Sequence, residues 1–182
     1  MTYPKNEQQL IEKCRAGESW AQKAIYESYA PVMLAVCLRY LGEREAAKDA
    51  LQEGFIKLFG NIDSFAGTGN FGGWARRIFV NACLEHMRKD QAYNLTETID
   101  NHLNVLAEEN EDGVKKLSAD ELIACITKLP KTHRAVFNLF AIEGYSHQEI
   151  AGMLHITEST SRTFFSRARS TLKEMVEKLN KR

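Results

Sequence analysis

Arg162, Thr163, Ser166, Arg167 and Arg169 crowd into one short stretch. Cations and hydroxyls at that density suit phosphate oxygens and base edges better than a core. The residues before them give the density a geometry. Across Ser146–Arg169, a helix-turn-helix needs a small residue where two helices cross, and Ala151 holds that place. It needs apolar residues before, at and after the turn, which Ile150, Leu154 and Ile156 supply. Its second helix needs a cap, and Thr157 fits. Such a helix enters the major groove, where its first turns meet base edges and flanking arginines bind phosphate. His155 stands where the turn needs left-handed backbone, which histidine tolerates better than most residues at a cost of about 1 kcal/mol. An ordinary helical hairpin with a solvated basic face is the competing reading, and the full spacing favours DNA.

A second constellation lies upstream. Ala47, Leu51, Gly54, Phe55, Leu58 and Phe59 form a helical stripe that leaves Asp49, Gln52, Glu53 and Lys57 towards solvent. The stretch 60–73 holds Gly60, Gly67, Gly69, Gly72 and Gly73 and reads as a loop. Trp74 is expected to open the next helix, with Ala75, Ile78, Phe79 and Ala82 inward and Arg77, Asn81, Glu85 and Arg88 on another face. Phe65 and Trp74 taken singly read as core residues. An open glycine-rich loop flanked by aromatics and followed by cations also suits unstacked single-stranded DNA.

Catalytic and metal chemistry find no footing. His86, His102, His133, His147 and His155 have no metal-ligand spacing, and no nucleophile–base pair is identifiable. Gly67-x-Gly69 lacks the context of a phosphate loop. Cys14, Cys37, Cys83 and Cys125 are scattered without a CxxC pair, which favours buried reduced thiols over disulfides or zinc. No enzyme, metal or cofactor is expected.

The elements that must position these groups are helical. Only three prolines interrupt 182 residues, of which 44% are apolar and 26% charged. Those fractions belong to a folded globular chain. Leu10, Ile11, Cys14, Ala21, Ala24, Ile25 and Tyr29 trace an amphipathic segment, and Pro31 is placed at the start of a separate, nearly all-apolar core helix to Leu41. Downstream, Leu122, Ile126 and Leu129 form a stripe that ends at Pro130, and Val136, Phe137, Leu139 and Phe140 belong to a helix that stops at Gly144. Ser146 opens a short helix, and Thr157 a longer one with Phe165, Ala168, Leu172, Val176 and Leu179 inside.

The net charge of zero, from 24 basic and 24 acidic residues, hides a polarised layout. Residues 90–121 carry nine acids against two lysines, whereas 71–89 carry four Arg or Lys against one Glu and 155–182 carry seven against three. Two basic helical modules joined by an acidic tether follow, the tether with a possible short helix at Leu103–Ala107. Residues 1–13 show no secretory signal, and the longest apolar run falls far below the roughly 20 residues a bilayer requires.

Both constellations, in this order and at this separation, resemble the extracytoplasmic-function sigma factors of the bacterial sigma-70 family, from Leu10 to Lys89 and from Leu117 to Leu179. The resemblance implies an all-α fold of two small domains: residues 8–90 for core polymerase and the minus-ten element, an acidic linker at 91–116, and a helix-turn-helix domain at 117–182 for the minus-thirty-five element. It assigns Asp49, Gln52, Glu53 and Lys57 to polymerase binding, with the clamp helices of the largest subunit as target and the flap touched by the second domain. Arg77, Asn81, Glu85 and Arg88 are assigned to the minus-ten element; Arg162, Thr163 and Arg167 to the minus-thirty-five element. It further implies a cytoplasmic location and an anti-sigma protein that covers the DNA-facing surfaces. Ala66 and Gly72 stand where the family often has basic residues, Phe164 where Arg is common, and Ser161 where an apolar residue usually packs. The alternative is a dimeric helix-turn-helix regulator independent of polymerase, which leaves the glycine-rich loop and the Asp49–Phe59 surface without a role.

Overall fold

The computed structural model describes residues 7–93 and 119–180, with backbone alone for 90–93 and 119–120. The described residues form an all-α fold with no strand among them. The chain divides into two compact units, the break falling between His86 and Met87. The expected linker at 91–116 lies outside the described residues except for its first three, which continue a helix to Tyr93. The expected helix at Leu103–Ala107 lies outside them altogether.

The first unit contains α1 (Glu7–Arg15), α2 (Ser19–Leu41), α3 (Arg44–Gly60) and α4 (Phe71–Tyr93), the last running on past the break. Glu7 in the first turn of α1 and Lys13 and Arg15 in its last match the helix dipole. Pro31 does not start a helix, as the sequence suggested, but lies inside α2. An interior proline costs about 3 kcal/mol. Buried Ala24 and Ile25 before it and Met33, Val36, Cys37 and Tyr40 after it make one continuous face. At about 1.5–3 kcal/mol for each large side chain, that face outweighs the proline. Pro31 itself is exposed, so the carbonyl it deprives of a partner can turn to water. Gly42 ends α2 with a left-handed φ of 80° and donates its N–H to Leu38 O at 2.8 Å.

Helices α3 and α4 meet at Gly54. A Cβ there would lie 2.3 Å from Phe79 Cδ1, so only glycine permits this approach. The ring of Phe55 meets Phe79 edge-on at 5.0 Å and Tyr26 at 4.6 Å. A short 3-10 turn, Ile62–Ser64, follows α3. Helix α4 begins at Phe71, three residues before the expected Trp74, because Asn70 caps it: Gly73 N–H donates to Asn70 Oδ1 at 3.0 Å.

The second unit holds α5 (Ala119–Thr127), α6 (Lys131–Phe137), α7 (His147–Leu154) and α8 (Glu158–Asn180). Helix α8 packs on the other three. Cys125, Ile126 and Leu129 are buried, whereas Leu122, expected in that stripe, is 43% exposed. Arg134, almost fully buried, donates to the Thr127 carbonyl at 2.6 Å and ties α6 to the end of α5. A wider turn, Asn138–Ile142, extends α6, and Gly144 leaves it with a φ of 79°. Among the described residues, no helix is long and apolar enough to cross a membrane.

Candidate nucleic-acid interface

The second unit builds its surface on two caps. Ser146 and Glu149 form a reciprocal capping box at the start of α7: Glu149 N–H donates to Ser146 Oγ at 3.2 Å, and Ser146 N–H donates to Glu149 Oε2 at 2.8 Å. His155 closes α7 at φ 54°, ψ 43°, the left-handed conformation expected of the turn. Thr157 caps α8, accepting from Thr160 N–H at 3.1 Å.

Helix α8 then sorts its residues by face. Ser161 and Ala168 are buried, Phe164 and Phe165 half-buried, and Arg162, Thr163, Ser166, Arg167 and Arg169 exposed. Arg162 pairs with Glu158 one turn earlier. Thr163 donates its hydroxyl hydrogen to Ser159 O at 3.0 Å and keeps its oxygen as an acceptor. Phe164 packs on His133, ring centroids 4.6 Å apart, and so belongs to the scaffold.

Ser161 is the residue whose polarity the sequence left unexplained. Its Oγ lies 2.9 Å from His147 Nδ1 inside the unit, joining α8 to α7 by a buried hydrogen bond. His147 stacks on Phe140 at 4.2 Å. Burial first, then the Arg162 charge, holds its pKa below the usual histidine value, with Glu158 opposing. Burial and the charge of Arg167 depress His133 in the same way. Sequence reasoning passed over both histidines because it looked for metal spacing. The signal was a serine at a core register opposite a histidine fourteen positions earlier.

In the first unit, Asp49 and Gln52 are exposed on α3, with Glu53 and Lys57 half-buried beside them. Lys57 Nζ is 3.1 Å from Glu53 Oε1 and also grips Glu85 on α4. Burial works against the Lys57 charge, but the bonds to Glu85 and Glu53 more than offset it and raise its pKa. Two residues expected to face polymerase and one expected to face DNA thus share a single ion cluster. Arg77 and Asn81 stand exposed on α4 in this unit, and Arg88 is exposed on the same helix past the break. Ile56, missed by the sequence reading, is 73% exposed. It follows Gln52 by four residues and Glu53 by three, which places all three on one helix face.

The loop aromatics face inward. Phe65 and Phe71 are buried and Trp74 half-buried, with ring centroids 5.3–5.5 Å apart in all three pairs. Tyr29 packs edge-on against Phe71 at 5.4 Å and donates its hydroxyl to Glu7. These rings form a foundation under residues 66–70, all exposed, in which Gly67 and Gly69 have φ of 74° and 85°. They are not free platforms for bases. Among the described residues no group of three or more His, Cys, Asp or Glu could hold a metal ion, and the four cysteines are buried free thiols.

Residues 25–93 match the family Sigma-70 region 2, and residues 119–172 match Sigma-70, region 4. The ECF RNA polymerase sigma factor SigW of Bacillus subtilis is 31% identical over 179 residues, covering 93% of this chain and 96% of SigW. The RNA polymerase sigma-H factor of Pseudomonas aeruginosa is 25% identical over 189 residues, covering 98% of each chain. Among solved structures, the sigma factor RpoE in complex with the anti-sigma factor NepR from Bartonella quintana is similar in fold. That likeness has a TM-score of 0.51 and 21% identity, over 85% of this chain and 96% of that one.

Proposed function

The chain belongs to the sigma-70 family as an extracytoplasmic-function sigma factor, an alternative sigma factor of transcription initiation, and from that premise we propose how its residues divide the work. Core RNA polymerase performs nucleotidyl transfer in the cytoplasm, and this chain, with no catalytic chemistry of its own, selects the start site. Arg162, Thr163 and Arg167 read the minus-thirty-five duplex from α8, Arg162 and Arg167 as donors to phosphates or guanine edges. Arg77, Asn81 and Arg88 on α4, with loop 66–70, take the unpaired minus-ten strand. Binding there offsets an unstacking cost of a few kcal/mol. Glu85 spends one carboxylate oxygen on Lys57 and offers the other to a base amine.

Asp49, Gln52, Glu53 and Lys57 dock on the polymerase clamp helices, with Ile56 as the apolar centre of that surface. Residues 91–116 tether a domain at 8–90 to one at 117–182. An anti-sigma protein that covers the DNA-facing surfaces is a further proposed partner.

The observation that carries this division is the sorting of α8, whose inward residues make a packed scaffold while its cations stay outside. Transcription in vitro with purified core polymerase on a promoter library tests it. The chain is expected to redirect initiation to a set of sites that share both elements. Unaltered start sites would refute the assignment.

A further inference from the structure

Between Lys57 and Arg76 the sequence contains neither lysine nor arginine, so the exposed loop at 66–70 has no cation of its own. Single-strand sites combine base contacts with positive charge along the backbone. A guanidinium from elsewhere in the first unit reaches the start of this loop. Arg15, at the end of α1, donates through Nε to the Ile62 carbonyl at 3.4 Å and through a terminal nitrogen to the Phe65 carbonyl. Phe65 is the last residue before the loop, and Asn70 caps the helix after it.

We propose that Arg15 is the backbone-phosphate contact of the loop, a DNA-binding residue brought from α1 to where unpaired minus-ten DNA would lie; this rests on the loop taking that strand. An arginine has five N–H donors, and the two carbonyls engage two nitrogens, which leaves donors and the full charge for a phosphodiester. Arg15 is exposed, and among the described residues no carboxylate forms an ion pair with it. Asp63, the one acid between Glu53 and Glu85, is exposed on the turn. The five loop residues span at most about 18 Å, and two positive-φ glycines shorten that reach. A nucleotide seated on the loop therefore has a phosphate near its entry, where Arg15 sits. The carbonyl bonds also fix the guanidinium in advance, so little side-chain freedom is lost on binding.

Holoenzyme made with Arg15→Gln or Arg15→Lys tests the proposal on two probes from a promoter the wild-type protein recognises. One is the single strand spanning the minus-ten element, titrated at several salt concentrations; the other is a minus-thirty-five duplex. Arg15→Gln is expected to weaken single-strand binding about five- to tenfold and to flatten the log–log salt slope by about 0.7, the release of one phosphate contact. Arg15→Lys should keep the wild-type slope, and the duplex should bind all three proteins alike. A weaker Arg15→Gln with the wild-type slope would reduce Arg15 to a loop brace and overturn the proposal. Failure of wild-type holoenzyme to bind the single strand at all would overturn the loop reading first, and Arg15 with it.

Discussion

Residue-level chemistry here separates into groups that face outward and groups that hold them there. Arg162 is outward and pairs with Glu158. Arg162→Ala should weaken minus-thirty-five binding by about 1–3 kcal/mol at matched salt, and it also frees the Glu158 carboxylate to repel DNA. Promoter preference that survives the change, measured by holoenzyme binding to variant sites, would remove Arg162 from the reading set. His147 and Ser161 hold. His147 has a folded pKa below its ordinary value of 6.5, so the folded state resists the proton that the unfolded chain accepts. Stability from this group is complete above that value and declines as pH falls through the depressed folded value; His133 acts in the same direction. Chemical denaturation from pH 7 to 5 should show a falling stability whose slope is reduced in His147→Gln. An equal slope would exclude His147 as a source. The sequence disclosed the outward arginines by type and spacing. It concealed the holding pair, because a buried polar contact depends on what two helices bring together.

Elements were legible wherever a local rule acted alone. The helix start at Ser146, the left-handed His155 and the Thr157 cap all stand where the residue types require. They were misread where packing overrode propensity. Pro31 reads as a boundary, yet the apolar face on both sides of it keeps α2 whole. Gly72 and Gly73 read as loop, yet Asn70 starts α4 ahead of them, and a Cβ on Gly72 would come within 3.3 Å of Tyr29. Leu122 shares a helix face with Cys125 and Ile126, yet only those two, in the last turn of α5, are buried. Gly54 illustrates the opposite case, a glycine demanded by contact. Gly54→Ala must push the Phe79 ring aside, and overpacking of this kind costs about 1–3 kcal/mol. A melting temperature equal to wild type would show that α3 and α4 separate without penalty.

At the scale of the whole molecule, function is a matter of assembly. The α3 surface combines Asp49, Gln52 and Glu53 with the bare side chain of Ile56, an apolar centre in an acidic rim. Glu53→Lys reverses a charge and breaks the cluster with Lys57; Ile56→Asp leaves the cluster in place and charges the centre. Both should abolish co-purification with core polymerase while leaving the helical content intact. Retention of either variant by core enzyme would move the docking surface elsewhere. The burial of all four thiols has a practical consequence. Cys14, Cys37 and Cys83 fall in the first unit and Cys125 in the second. An alkylating reagent therefore finds no sulfur until helices part, and the number of labels gained, three or one, tells which half of the protein has opened.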